Sequence, residues 1–185
     1  MTTPDWEPPF SASPTEHLLA ALDRQRATFR WKADELDAAG LSARIGRSSL
    51  SLGGLLKHLT RVEDVTFTWK LAGGPPAEPW RSMDWDATPD WDFESAGSDD
   101  PATLYAEYDA VVARSREIVA TRVADGGLEQ TVHWGKEHDI EVSLGRLVAD
   151  LLEEYGRHTG HADLLREAVD GRVGEDPPQE WSTPW

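Results

Sequence analysis

The sequence predicts an all-α four-helix bundle with a long crossover between its second and third helices. Four segments carry apolar residues at helical spacing, and each begins behind a capping signal. The segments 131–134 and 140–142 flank a polar turn and are compatible with a short hairpin, but a two-stranded ribbon would not set the fold class.

The predicted helices are delimited by serine, aspartate, proline and glycine. The first begins with Ser13-Pro14-Thr15-Glu16, a capping box with proline at the first helical position. The third begins in the same way, at Asp100-Pro101, and Gly171 is the expected stop of the fourth. The helices are expected at 14–40, 51–71, 101–123 and 143–170.

The connection between the second and third helices spans residues 73–99, about 27 residues, whereas helix hairpins usually need two to eight. A connection of this length can carry the chain from one end of the bundle to the other, so these two helices can run parallel. It contains Trp80, Trp85 and Trp91. These rings either cover the core or form a lid over a pocket at the end of the bundle.

Composition limits the possible functions. The 185 residues fit one domain, expected as an N-terminal extension (1–12), a bundle (13–173) and a C-terminal tail (174–185). The chain has no cysteine, which excludes disulfides, Cys-ligated zinc and a thiol nucleophile of its own. The net charge of −16 makes nucleic acids and membrane surfaces poor partners. Because the N-terminus has no apolar signal region, a cytoplasmic location is expected.

The fourth helix has a polar break in its core-facing stripe. Steps of three and four residues give Leu151, Glu154, His158, His161 and Leu165, so three ionisable groups interrupt an otherwise apolar row. An unpartnered carboxylate on this face would cost several kcal/mol. A cation or a protonated partner is therefore required next to Glu154.

The second helix carries one imidazole, His58, in an otherwise apolar stripe. Glu154 and His158 are four residues apart, the spacing by which helical bundles place a carboxylate and an imidazole on one ion. With His58 the set offers two nitrogens and one oxygen, which suits zinc or nickel and also non-haem iron. A buried salt bridge from Glu154 to His158 or His161, without an ion, is the alternative.

Three motifs resemble the DinB-like superfamily. They are residues 52–59 (LGGLLKHL), Pro89-Asp90-Trp91 and, most specifically, residues 153–167 (EEYGRHTGHADLLRE). The similarity extends over roughly residues 14–173 and is closest to the actinobacterial mini-circle-protein subgroup. It implies a four-helix bundle with the long crossover described above.

The resemblance also implies a metal site. Relatives bind a divalent ion through one histidine of the second helix and an i, i+4 pair of the last helix, which correspond to His58 and to Glu154 with His158. Many members carry a second histidine at the position of Glu154. The mycothiol-dependent maleylpyruvate isomerase branch instead has Glu at this position, as this chain does. This departure leaves open whether His161 replaces or supplements Glu154.

Characterised relatives are thiol-dependent transferases and isomerases, so the resemblance implies a low-molecular-weight thiol, of the mycothiol type, as cosubstrate. A chain without cysteine fits this chemistry because the sulfur arrives with the cosubstrate. The preferred hypothesis is a metal-dependent thiol transferase acting on a small molecule, with His161 orienting a ligand or acting as a base. A non-catalytic binding bundle and a metal-dependent hydrolase are the alternatives, and a homodimer is possible.

Overall fold

All the regular secondary structure in the described part of the chain is helical. The structure is a computed structural model and describes residues 3–185. In this range there are seven α-helices and no named strand, which confirms the predicted all-α class. None of the helices in residues 3–185 is both long enough and apolar enough to cross a membrane.

Four helical elements are long and three are short. The long elements are α1 (Pro14–Ala33), α3 (Leu52–Glu63) with a π-helical continuation (Asp64–Leu71), α5 (Pro101–Gly126) and α7 (Leu144–Asp170). The short ones are α2 (Ala38–Ser42), α4 (Trp91–Ser95), which a 3₁₀ turn (Ala96–Ser98) extends, and α6 (His133–Glu137).

The long helices begin at the predicted caps. The Ser13 hydroxyl accepts from the Glu16 amide at 3.2 Å, and the Glu16 carboxylate accepts from the Ser13 amide at 2.8 Å, which completes the capping box. Ser143 caps α7 at the predicted start of the fourth helix, where its hydroxyl accepts from the Arg146 amide. Gly171 ends that helix with φ 81°, a left-handed conformation that glycine adopts without strain.

The predicted end of the first helix at Gly40 is wrong. α1 ends at Ala33, because Asp34 is extended (ψ 153°) and Glu35 has φ 58°. The guanidinium of Arg166, which is almost fully buried on α7, donates to the carbonyl oxygens of Lys32, at 3.0 Å, and Asp34. Orphan carbonyls at the end of α1 are therefore satisfied by a distant arginine rather than by a further helical turn.

The possible hairpin does not form. Only one antiparallel bridge, between Thr131 and Ser143, joins this region, and His133–Glu137 forms α6. The Val132 amide donates to the Val142 carbonyl at 2.9 Å, and the Ile140 amide donates to the Gly135 carbonyl at 2.9 Å. These bonds hold a compact loop in place of two strands.

α3 and α5 are parallel, which the length of the crossover allows. Lys57 pairs with Asp99, two residues before α5, at 2.5 Å, and Asp64 pairs with Arg114 of α5 at 2.8 Å, so residue numbers increase together along the two helices. The crossover covers part of the core, since Trp80 is 5% exposed. It also contacts the candidate site described below through α4.

A buried polar network joins the four long helices at the centre of the bundle. Arg26 of α1 makes a bidentate ion pair with Glu63 of α3, at 2.7 and 2.8 Å. The Tyr155 hydroxyl of α7 donates to Glu63 at 2.9 Å, and the Tyr108 hydroxyl of α5 donates to the Tyr155 hydroxyl at 3.0 Å. At most 2% of each residue is exposed. Because each polar group has a specific partner, the network sets the register of α3 against α7.

The C-terminal tail lies on the bundle. The Trp181 indole donates to Asp34 at 3.2 Å, and the Trp185 ring lies 6.2 Å from the Tyr108 ring, edge-on.

The predicted second helix differs from an uninterrupted α-helix, because residues 64–71 are wound as a π-helix. The Asp64 carboxylate at its start is held by Arg114 and by the Ala77 amide of the crossover.

Candidate metal centre

The structure brings the three predicted ligands together. One ligand atom from each of His58, Glu154 and His158 lies within 4.8 Å of the other two. Glu154 Oε1 is 3.0 Å from His58 Nε2 and 3.2 Å from His158 Nε2. α3 positions the first imidazole, and one turn of α7 positions the carboxylate and the second imidazole on the same face.

The burial of the site keeps its groups in ligating form. His58 and His158 are buried, at 8% and 7% exposure. Burial raises the pKa of Glu154, but hydrogen bonding with His58 and the charge of either imidazole in its protonated form outweigh it, so the pKa lies below its ordinary value. Burial, and then the proximity of His58, lowers the pKa of His158 to about 4. At neutral pH the pair is therefore a carboxylate and a neutral imidazole, the forms that bind metal.

Asp92 of α4 is a further site residue, which no sequence pattern indicated. Its carboxylate is fully buried and accepts from His58 Nδ1 at 3.0 Å and from Arg61 Nε at 2.8 Å. Burial raises the pKa of Asp92, but the hydrogen bonds and charges of His58 and Arg61 lower it by more, so the pKa lies below its ordinary value. The Phe93 ring stacks on the His58 ring at 4.6 Å. No local signal separates Asp92 from the other acidic residues of the crossover, since only the packing of α4 on α3 buries it.

The proton positions implied by these contacts fit a cation. A carboxylate only accepts, so we assign the His58 proton to Nδ1, where it is donated to Asp92, and the Nε2 lone pair faces Glu154. His158 Nδ1 lies 3.3 Å from His161 Nδ1, and donation to His161 leaves the His158 Nε2 lone pair facing Glu154 too. Two lone pairs and a carboxylate oxygen then converge with no proton between them, an arrangement that a divalent ion satisfies.

His161 lies beside this group and outside it. Its Nδ1 contacts His158 and its ring centroid is 5.3 Å from the His158 ring, whereas the group of converging ligand atoms contains His58, Glu154 and His158. With its Nδ1 accepting from His158, a neutral His161 carries its proton on Nε2. This arrangement favours orientation of His158 over proton abstraction.

Two arginines lie on the rim of the site. Arg157 pairs with Glu153 at 2.7 Å and is 4.0 Å from Glu154, with 57% of its side chain exposed. Arg61 packs over the Trp85 ring at 4.4 Å, so part of the tryptophan-rich crossover borders the site.

We expect Asp92→Asn to weaken metal binding about 10- to 100-fold, because residues that orient a ligating imidazole have effects of this size. The amide keeps the shape but can present an NH₂ donor to His58 Nδ1, where the carboxylate could only accept, so the preferred His58 proton position is lost. Competition with a chromogenic chelator measures the affinity. Asp90→Asn, in an exposed residue of the same loop, is the matched control. Equal affinity of Asp92→Asn and wild type would contradict the role of Asp92.

The helical bundle with its parallel α3 and α5, together with the two-imidazole, one-carboxylate group, defines a DinB-like protein with a candidate metal centre. The family model described as MST, Mycothiol-S-transferase, matches residues 17–171. The chain therefore belongs to the mycothiol S-transferase family, which confirms the DinB-like resemblance. Neither the curated proteins nor the solved structures contain a match to the chain. The mini-circle-protein subgroup stays a prediction.

Proposed function

We propose that the chain is a metal-dependent transferase that joins the sulfur of mycothiol, or of a closely similar thiol, to a carbon of an acceptor molecule. The observation that carries the proposal is the convergence of two imidazole nitrogens and one carboxylate oxygen within 4.8 Å, in a member of the mycothiol S-transferase family. His58, Glu154 and His158 are the proposed ligands.

The donor set indicates which ion would fit. Two neutral imidazoles and one carboxylate are borderline-to-hard ligands, which suit zinc or nickel best and also accommodate iron. Three protein ligands leave a coordination position for an exogenous sulfur. An ion bound there would supply the positive charge that keeps a thiol ionised at neutral pH.

The residues of this chain would hold and orient the reactants. Glu154 supplies one negative charge against the ion, and Asp92 and His161 hold the two imidazoles in the ligating tautomer. His161, proposed from the sequence as a catalytic residue, is thus a positioning residue in this scheme. In the overall reaction the thiol sulfur forms a bond to the acceptor carbon, and the leaving group departs with the bonding electrons and takes up the proton of the thiol.

Family membership favours this function over the two alternatives. A metal-dependent hydrolase would use the same three ligands with water in the remaining position, and a non-catalytic bundle would keep the polar group as an internal network. Neither explains why the chain matches thiol transferases while containing no cysteine of its own. The cytoplasmic location and the homodimer stay predictions, as does the exclusion of nucleic acid and membrane partners.

Cobalt-substituted protein provides the test. We expect saturating mycothiol to produce the intense sulfur-to-cobalt absorption of a thiolate ligand, because the proposed site leaves one position for sulfur. S-methylated mycothiol, which has no ionisable thiol, is the matched control and should leave the spectrum unchanged. An unchanged spectrum with mycothiol itself would overturn the thiol-transferase proposal, and ester hydrolysis by the same sample would then favour the hydrolase.

A further inference from the structure

A second feature of α7 lies outside the candidate metal centre. A groove of about 790 Å³ opens between the end of the π-helical segment, the loop around α6 and the first turns of α7. The groove and the metal centre both lie along α7, so residues of this helix give the distance between them. Leu147 and Asp150 line it, and they precede Glu154 by two turns and one turn on the same face of α7.

Along the α7 axis, the groove lies within the length of a small molecule from the centre. At 1.5 Å per residue, Asp150 lies about 6 Å and Ser143 about 16 Å from Glu154 along the α7 axis. The opposite wall leads in the same direction, because Lys70 lies in the last turn of the helical element on which His58 lies. An extended ligand of about 10 to 15 Å seated in the groove would bring its far end to the ligand cluster.

The lining of the groove matches a hydroxyl-rich, uncharged ligand. Three carboxylates, two cationic side chains and two hydroxyls supply both donors and acceptors, and one indole supplies a flat apolar face. The carboxylates outnumber the cations, and the net charge of the whole chain is −16, so a ligand with carboxylates or phosphates is disfavoured. The polar lining residues are Lys70, Glu129, Thr131, Glu141, Ser143, Arg146 and Asp150.

Packing contacts fix the position of the Trp134 indole, which lines the groove. Trp134 packs against the core and its ring lies 4.6 Å from the His138 ring. Gly135, next to it, is buried, and a Cβ there would approach the Ile140 carbonyl oxygen to 2.8 Å. This close backbone approach places Trp134 beside the start of α7.

We propose that this groove binds the sugar end of the thiol cosubstrate, with Trp134 packing on the C–H face of a sugar ring and Glu141 accepting from its hydroxyls. The inference rests on the proposed function and adds to it a binding subsite and a selectivity for uncharged polyol thiols. In mycothiol the cysteine is carried on such a unit, glucosamine joined to inositol. The sugar is held by the groove while the sulfur reaches the proposed ligands.

Metal-free protein tests the groove separately from the metal chemistry. Isothermal titration with N-acetylglucosaminyl-inositol, an uncharged fragment without sulfur, is expected to show binding to wild type that is about tenfold weaker in Glu141→Gln and in Trp134→Leu, since loss of one such contact changes affinity by roughly this factor. Trp134→Phe keeps a flat ring and should retain most of the affinity. Glu153→Gln, exposed on α7 outside the groove, is the matched control and should bind as wild type does.

Kinetics provide a second measurement. In the metal-loaded enzyme Glu141→Gln should raise KM for mycothiol about tenfold with kcat unchanged, because it removes binding shared by the ground and transition states. Absence of fragment binding to wild type, or equal binding to all variants, would overturn the groove assignment. Either result would leave the cobalt–thiolate test untouched. Fragment binding without any cobalt–sulfur signal would instead contradict the proposed function and retain the sugar site.

Discussion

Replacement of His58 or His158 by alanine is expected to release the bound ion. Wild type should purify with about one divalent ion per chain, and each variant should bind the ion at least about 100-fold more weakly, a larger effect than loss of an orienting residue. The reason is that each imidazole supplies one of only three protein ligands, and the remaining pair cannot enclose a cation. Elemental analysis of dialysed protein measures the content.

His17→Ala is the control for this experiment, because His17 is exposed on α1 and its ring contacts the Pro9 carbonyl oxygen. It should keep the metal content of wild type. Circular dichroism must show that all variants remain helical, so that metal loss is not a consequence of unfolding. If wild type folds normally and contains no stoichiometric zinc, nickel or iron, even after incubation with each ion, the proposed centre is wrong and a proton-linked network remains.

Glu63→Ala is expected to cause the largest loss of stability, about 3–5 kcal/mol, which is the usual effect of removing one partner of a buried ion pair. Burial by itself lowers the pKa of Arg26, but Glu63 and its hydrogen bonds raise it above the ordinary value, so the guanidinium stays charged. Without Glu63 that charge is left in the core, and the Tyr155 hydroxyl loses its acceptor. For a domain of this size the melting temperature should fall by about 10 °C.

A double-mutant cycle isolates the pair. Arg26→Ala alone should be comparably destabilising, whereas the double variant should cost clearly less than the sum, because neither charge is then left unpaired. The exposed pair of Arg146 and Asp150, at 2.5 Å on α7, provides the comparison, and Asp150→Ala should change stability by less than about 1 kcal/mol. Additive effects of Arg26→Ala and Glu63→Ala would show that the two side chains do not act as a pair.

The local features of the chain were predictable where the physics is local. Capping pairs such as Ser13 with Glu16 act within one turn, and the core-facing stripe of α7 can be read from its own spacing. The crossover also follows from length alone, because 73–99 is longer than a helix hairpin requires. These signals led to the helix starts and to the all-α class.

Other features depended on residues that are distant in the sequence. The end of α1 at Ala33 depends on Arg166, 132 residues after Asp34. The π-helical segment begins where Asp64 meets Arg114 and the Ala77 amide. A single segment carries no information about such partners, and the expectation of a helix to Gly40 was wrong for that reason.

The sequence by itself determined that α7 presents Glu154, His158 and His161 on an apolar face, since helical spacing places them there and burial makes their pairing obligatory. It also determined that any reactive sulfur must come from outside the chain. Only the tertiary structure decided which groups meet. The antiparallel packing of α3 on α7 brings His58 Nε2 to 3.0 Å from Glu154, and the folding of α4 onto α3 buries Asp92 behind His58. Those distances depend on packing between helices, which short-range sequence patterns do not encode.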